Sequence, residues 1–171
     1  LPVSSSGHLE LGKYLFGMDH ESNFYFSIAV HGATVLSTIV VLWKEILTLF
    51  KGVFNLRWNE ETIYISKIVV SMIPTAFAGF FLKDIAEKFF TGNMISLGFE
   101  FMATALLLLM TLYIKPKERP IRFLDAFIVG IAQAIAILPG VSRSGATIAT
   151  GMMLGNRKAD IAKFSFLMVL V

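Results

Sequence analysis

Long apolar runs separated by short charged connectors constrain this chain more than any other feature of it. A helix that crosses about 30 Å of hydrocarbon needs roughly 20 mostly apolar residues. Three stretches meet that length: Phe24 to Trp43, Tyr64 to Leu82 and Met94 to Ile114. A fourth, Phe123 to Leu138, carries Asp125 at its entrance and Gln133 within, and it reaches spanning length if it runs on toward Pro139. With 56% hydrophobic residues and a mean hydropathy of +0.72, the 171 residues hold more apolar surface than one soluble core can bury. The expected fold is an all-α polytopic membrane protein, a single transmembrane domain over residues 1–171.

Two shorter segments refine that expectation. The run from Ser144 to Asn156 is uncharged but too short to cross, so it fits a re-entrant or interfacial segment. Re-entrant helix segments are placed at 1–12 and 140–156, and a further span starts at 164–171. The chain opens inside a polar motif and stops inside an apolar run, so truncation at both ends is expected. There is no Cys for a disulfide framework or a thiolate metal site. The net charge of +3 sits in clusters between apolar runs rather than in a patch, which argues for loops flanking spans and against nucleic acid as a partner.

One repeat stands out. Leu1-Pro2-Val3-Ser4-Ser5-Ser6-Gly7 and Leu138-Pro139-Gly140-Val141-Ser142-Arg143-Ser144-Gly145 share a Leu-Pro start, a Ser-x-Ser-Gly ending and a following apolar run of marginal length. Paired interrupted segments of this kind mark an inverted-repeat helical bundle whose site lies where the repeats meet. Four crossings between the motifs would put both on one side of the membrane. The opposite side then holds Lys44, Lys51, Arg57, Lys115, Lys117, Arg119 and Arg122, against Lys13, Lys83, Lys88 and Arg143 on the motif side. A re-entrant segment would return Arg157 and Lys158 to the motif side and narrow the count to seven against six. Cytoplasmic loops carry the excess of Lys and Arg, so the motifs are expected to face outward.

The motifs carry a recognisable chemistry. Ser5 and His8 stand three apart, on one face if a helix begins there, and can form a nucleophile with its base or acid. Ser142, Ser144 and Thr147 offer hydroxyls around Arg143, whose planar fork suits bidentate phosphate contact. Gly7, Gly140 and Gly145 let backbone N–H groups approach an anion at a helix N-terminus, with Ser4 and Ser6 beside them. Each feature alone has a plainer reading: serines before helices are N-caps, His8 an interfacial histidine, Arg143 a headgroup anchor. The pairing of two such loops favours a phosphate site with Ser5, His8 and Arg143 as its reactive groups. Of the polar residues within spans, Lys67 reads as snorkelling, His31 and Gln133 as interhelical packing, Pro74 as a kink and Asp125 as a helix-dipole partner. Glu100 is a candidate for lining a cavity.

These residues resemble a family. Leu1 to His8, Asp125-Ala126 through Gly130, Gln133 to Thr147, Gly151 to Gly155 and Phe164 to Leu167 are similar to the undecaprenyl-diphosphate phosphatases of the bacitracin-resistance type. The resemblance implies a bacterial plasma-membrane enzyme that removes the terminal phosphate of a C55 polyprenyl diphosphate and recycles the lipid carrier for peptidoglycan synthesis. It places the family's serine nucleophile on Ser5, its histidine on His8 and its phosphate-binding arginine on Arg143, with Ser142 and Thr147 as neighbouring donors. It also implies a divalent cation, Mg²⁺ or Ca²⁺, on two glutamates of a segment upstream of Leu1, and C-terminal helices beyond Val171. His31 departs from the pattern, where an amide such as Gln is expected. The implied partners are a polyprenyl diphosphate lipid and the membrane, with a homodimer left open. Attack by Ser5 and attack by a metal-activated water remain alternatives, and a lipid-phosphate or anion transporter or flippase is the rival from another class.

Overall fold

A computed structural model describes residues 3–17, 20–54, 58–81, 94–114, 118–137 and 141–170. They form eight helices: α1 (Ser5–Phe16), α2 (His20–Val41), α3 (Trp43–Phe54), α4 (Glu60–Phe81), α5 (Met94–Leu112), α6 (Phe123–Ile135), α7 (Arg143–Met153) and α8 (Lys158–Met168). No strand occurs among the described residues. α4 and α5 are long and apolar enough to cross a membrane, and α2 with α3 passes the same test as a pair with a 73° bend between them. The chain is an all-α membrane protein.

The charged connector between Phe24–Trp43 and Tyr64–Leu82 contains α3. Its Ile46 and Leu49, with Leu42 just before it, pack toward the core, and its Gly52 lies under Glu61. Asn59 then caps α4: its Oδ1 accepts from Thr62 N–H at 2.8 Å, while its Nδ2 donates to Gly52 O at 3.0 Å and staples α3 to α4. Glu60 and Glu61 in the first turn oppose the positive helix end.

The core lies where α4, α6 and α8 meet, around Ile68, Ala126, Val129, Ile161, Phe164, Leu167 and Met168. Phe164 has Tyr64 edge-on at 5.7 Å. Gly130 lets α6 close on α4, because a Cβ there would strike the Ser71 carbonyl, and Thr75 Oγ1 donates to Gly130 O at 3.2 Å. Small residues at a seam are how membrane helices come close without a hydrophobic drive between them. Gln133 is buried in the same seam, its Nε2 3.8 Å from Met72 Sδ, and Lys67 stands over the Phe123 ring at 5.6 Å.

Of the expected span 123–138, the described residues place Phe123–Ile135 in a helix. α6 ends at Ile135, so it is only ~20 Å long, and α7 turns back along it. The two are tied at their open end. Arg119 N–H donates to Gly155 O at 3.3 Å and Arg157 N–H to Arg119 O at 3.2 Å. The Arg119 guanidinium grips Asp125 through both nitrogens at 2.9 and 3.0 Å and donates to Leu154 O, while Asn156 Nδ2 reaches Asp125 at 3.1 Å. Asp125 is thus more than a dipole partner: it accepts from Arg122 N–H at 2.9 Å and is the hub that closes the hairpin. α6 and α7 thus form one helical hairpin, closed where Arg119 and Asp125 meet Leu154 and Asn156. Arg157 and Lys158 therefore lie with Arg119 on the connector side, contrary to the expectation that they return to the motif side.

Candidate active site

Both Ser-x-Ser-Gly motifs are helix N-caps built alike. Ser4 Oγ accepts from Gly7 N–H at 3.2 Å and Ser142 Oγ from Gly145 N–H at 3.1 Å. In each cap the capping serine lies 3.5 Å from the serine two residues on, Ser6 and Ser144 respectively. The repeat seen in the letters is therefore a repeat in space, with Ser5 and Arg143 both at the first helical position. The caps differ in backbone. Ser4 takes a left-handed conformation, φ 61° and ψ 82°, which costs a serine about 1 kcal/mol or more, while Ser142 is extended.

The two caps dock on one helix. Phe101 of α5 lies against Gly7, where a Cβ would come 2.8 Å from its Cε1, and the same ring meets His8 edge-on with centroids 5.0 Å apart. Thr104, one turn further along α5, accepts Ser142 N–H on its Oγ1 at 3.1 Å. Leu97, Phe101 and Thr104 form a single stripe at helical spacing, and the caps sit on neighbouring turns of it, a rise of ~4.5 Å apart. Thr104 is ten residues into α5, ~15 Å from its start and so near the middle of a ~30 Å hydrocarbon layer. α1 leads from this level into α2, and α7 leads from it back to the hairpin base, so two helix N-termini sit beside neighbouring turns of α5. Helix N-termini leave N–H groups without intrahelical acceptors and carry partial positive charge, which suits an anion.

Burial divides the expected site residues into two sets. Ser5, His8 and Arg143 are exposed at the tips, where a ligand can reach them. Ser4, Gly7, Ser142, Gly145 and Thr147 are buried and build the tips. The Thr147 hydroxyl donates to Arg143 O at 2.9 Å and pairs with Ser165 Oγ of α8 at 2.6 Å, which ties α7 to α8. Ser6 is exposed and Ser144 half-buried beside the capping serines. Among the described residues no hydrogen bond or ion pair joins Ser5 or His8 to Arg143 directly; the docking on α5 relates them. Phe101 and Thr104 were not expected from the sequence, where Thr104 is one of two threonines in an apolar run.

His8 has a defined orientation. Its Nδ1 lies 2.9 Å from Ser4 O, and a carbonyl can only accept, so a neutral imidazole carries its proton on Nδ1. Nε2 is then the basic nitrogen, one helical turn from Ser5. No three His, Cys, Asp or Glu side chains gather to hold a metal ion among the described residues, so the described residues do not by themselves make the divalent-cation site that the resemblance implies.

The chain is thus an all-helical membrane protein in which two N-cap tips, bearing Ser5, His8 and Arg143, dock on one helix. The family model of bacitracin resistance protein BacA matches residues 1–171, and the chain belongs to that family. It is 53% identical over 171 residues to an undecaprenyl-diphosphatase of Parabacteroides distasonis, covering 99% of this chain and 64% of the relative. An undecaprenyl-diphosphatase of Bacteroides thetaiotaomicron is 53% identical, with 99% and 65% covered, and one of Thermosipho africanus 41% identical, with 98% and 67% covered. The chain thus spans a little under two thirds of the length of the first two.

Proposed function

We propose that this chain supplies the catalytic tips of an integral membrane phosphatase that hydrolyses undecaprenyl diphosphate to undecaprenyl phosphate and phosphate, recycling the lipid carrier for cell-wall synthesis. The observation that carries the proposal is the seating of both caps on Phe101 and Thr104, which brings the helix starts that bear Ser5, His8 and Arg143 to neighbouring turns of α5. The printed names of the relatives point the same way.

Arg143 and the N–H groups of the two tips neutralise the diphosphate, since phosphoryl transfer depends chiefly on positioning and electrostatic stabilisation. Ser5 Oγ attacks the terminal phosphorus in line, His8 Nε2 takes the hydroxyl proton, and the bridging P–O bond breaks to release undecaprenyl phosphate. Water then frees the phosphate from Ser5. Direct attack by a water held near His8 gives the same products. A Mg²⁺ or Ca²⁺ requirement belongs to the proposal through glutamates upstream of Leu1, and no step above depends on it.

Orientation is supported by charge. With Arg157 and Lys158 beside Arg119, the connector side gains two cations, so the excess that marks a cytoplasmic face lies there and α1 opens to the exterior of a bacterial plasma membrane. Phosphate release from C55 diphosphate by the full-length protein in detergent tests the function, because no gradient or second compartment exists there. Turnover that stops on chelation and returns with Mg²⁺ or Ca²⁺ supports it. Tight binding without turnover would favour the transporter.

A further inference from the structure

α3 has more apolar surface than its packing uses. Ile46, Leu49 and Gly52 face α4 and the core. A second apolar stripe, Trp43, Leu47, Phe50 and Phe54, recurs at i, i+4, i+7 and i+11 and is exposed along its whole length, Phe54 by 80%. Lys44 and Lys51 are exposed beside that stripe, a quarter turn around the helix on the side away from α4. The helix therefore has three sectors: one on the protein, one apolar and uncovered, one basic.

Its position says what covers the second sector. α2 has 22 residues and is ~33 Å long, enough to cross the hydrocarbon, so Val41 emerges at the membrane boundary. α3 starts there and is turned by 73° from α2, which lays it close to the membrane plane. Ion pairing also clears the surface for anions: Glu45 is drawn away to Lys163 of α8 at 3.1 Å, and Glu61 is folded onto Gly52. Trp58, 73% exposed just beyond α3, adds an indole where membrane interfaces favour one.

We propose that α3 is an interfacial anchor, with Trp43, Leu47, Phe50 and Phe54 sunk among acyl chains and Lys44 and Lys51 holding the phosphates of anionic phospholipids. An amphipathic helix with aromatic and aliphatic side chains on one face and lysines along its edge binds a bilayer surface by buried apolar area and by attraction to anionic lipid. The anchor fixes α3 in depth, and α3 is stapled to α4 through Asn59 and to α8 through Glu45, so the lipid contact bears on the core. The proposal is independent of the reaction: it stands or falls whether or not the protein is a phosphatase.

The test uses the full-length, otherwise Cys-free protein in vesicles of phosphatidylcholine with phosphatidylglycerol in about equal parts. Nitroxides are placed in turn by Phe50→Cys and Lys51→Cys. Phe50→Cys should collide mainly with oxygen and Lys51→Cys mainly with a water-soluble nickel chelate. Equal exposure of both to the chelate, or shielding of both from both reagents as under a protein neighbour or second copy, would overturn the anchor. Thermal midpoints of the wild type and of K44Q/K51Q, which alters only exposed side chains, test the headgroups. The wild type should gain a few degrees from phosphatidylglycerol and lose them in high salt, while the variant should gain little. An equal gain in both would overturn the headgroup assignment.

Discussion

The Phe101 ring leaves no room for a side chain on Gly7: a methyl group there would stand 2.8 Å from Cε1 and 2.9 Å from Cζ, while the same ring holds His8 edge-on. The glycine in the first turn of α1 is thus a close-approach residue between the first cap and α5. Gly7→Ala should push the cap and His8 off their seat. Because misplacements near 1 Å can cost about 100-fold, we expect kcat to fall by roughly 10- to 100-fold with a smaller change in KM. Phe101→Ala in the same protein should restore part of the rate. Steady-state phosphate release by the single and double variants checks this, and an unaltered kcat in Gly7→Ala would remove Phe101 from the account.

Thr104 is the second point of attachment. Thr104→Val keeps the shape but strips the acceptor from Ser142 N–H, leaving a buried donor unsatisfied at a cost of about 1–3 kcal/mol. Thr104→Ser should keep both stability and rate. Thermal unfolding of the two variants separates them: equal midpoints would mean that Ser142 finds another partner.

Asp125 closes the hairpin on the connector side. Its side chain is 4% exposed and bound to Arg119, Asn156 and Arg122 N–H, so Asp125→Ala leaves Arg119 and Asn156 without their shared acceptor. Breaking a buried pair costs roughly 3–5 kcal/mol, toward the lower end here because Arg119 is 26% exposed. The midpoint of unfolding should drop several degrees, and loss of activity should follow loss of fold. A variant as stable as the wild type would show that packing of α6 on α7 holds the hairpin without the charge.

The spans at Tyr64 to Leu82 and Met94 to Ile114 were legible because long uncharged runs admit few alternatives, and α4 and α5 fall within two to four residues of them. The N-cap character of both serine motifs was legible too, since Ser-x-Ser-Gly before an apolar run offers the acceptor and the close approach together. The depth of those motifs was not. Whether Phe123 to Leu138 crosses or turns back depends on Arg119 reaching Asp125, Leu154 and Asn156, contacts between residues as many as 37 apart that no local pattern encodes. α3 was hidden for a related reason: Lys44, Glu45 and Lys51 read as a polar connector until the helix sorts them to separate faces. The docking of Ser142 on Thr104 likewise became visible only in space.

Sidedness gives a further prediction. In the full-length, otherwise Cys-free protein, a Cys at Gly12 should react with a membrane-impermeant maleimide in intact cells, after outer-membrane permeabilisation where needed. A Cys at Asn59 should not, and neither should one at Lys158, because the hairpin base puts it with Arg119. Labelling of Lys158→Cys together with Gly12→Cys would undo the hairpin.

Arg143 offers the most direct test of the central claim that the two tips form a diphosphate-hydrolysing site. Phosphate release from C55 diphosphate should be measured for full-length wild type, Ser5→Ala, Arg143→Ala and Arg143→Lys, with thermal stability followed in parallel. If the guanidinium grips the diphosphate through its fork, lysine keeps the charge and loses the geometry, so Arg143→Lys should fall nearly as far as Arg143→Ala, by about 100- to 1,000-fold. Ser5→Ala should be at least as impaired, and all four proteins should unfold at similar temperatures, since Ser5 and Arg143 are exposed. Full activity in Arg143→Lys, with wild-type stability, would contradict the account and return the second tip to a topological role.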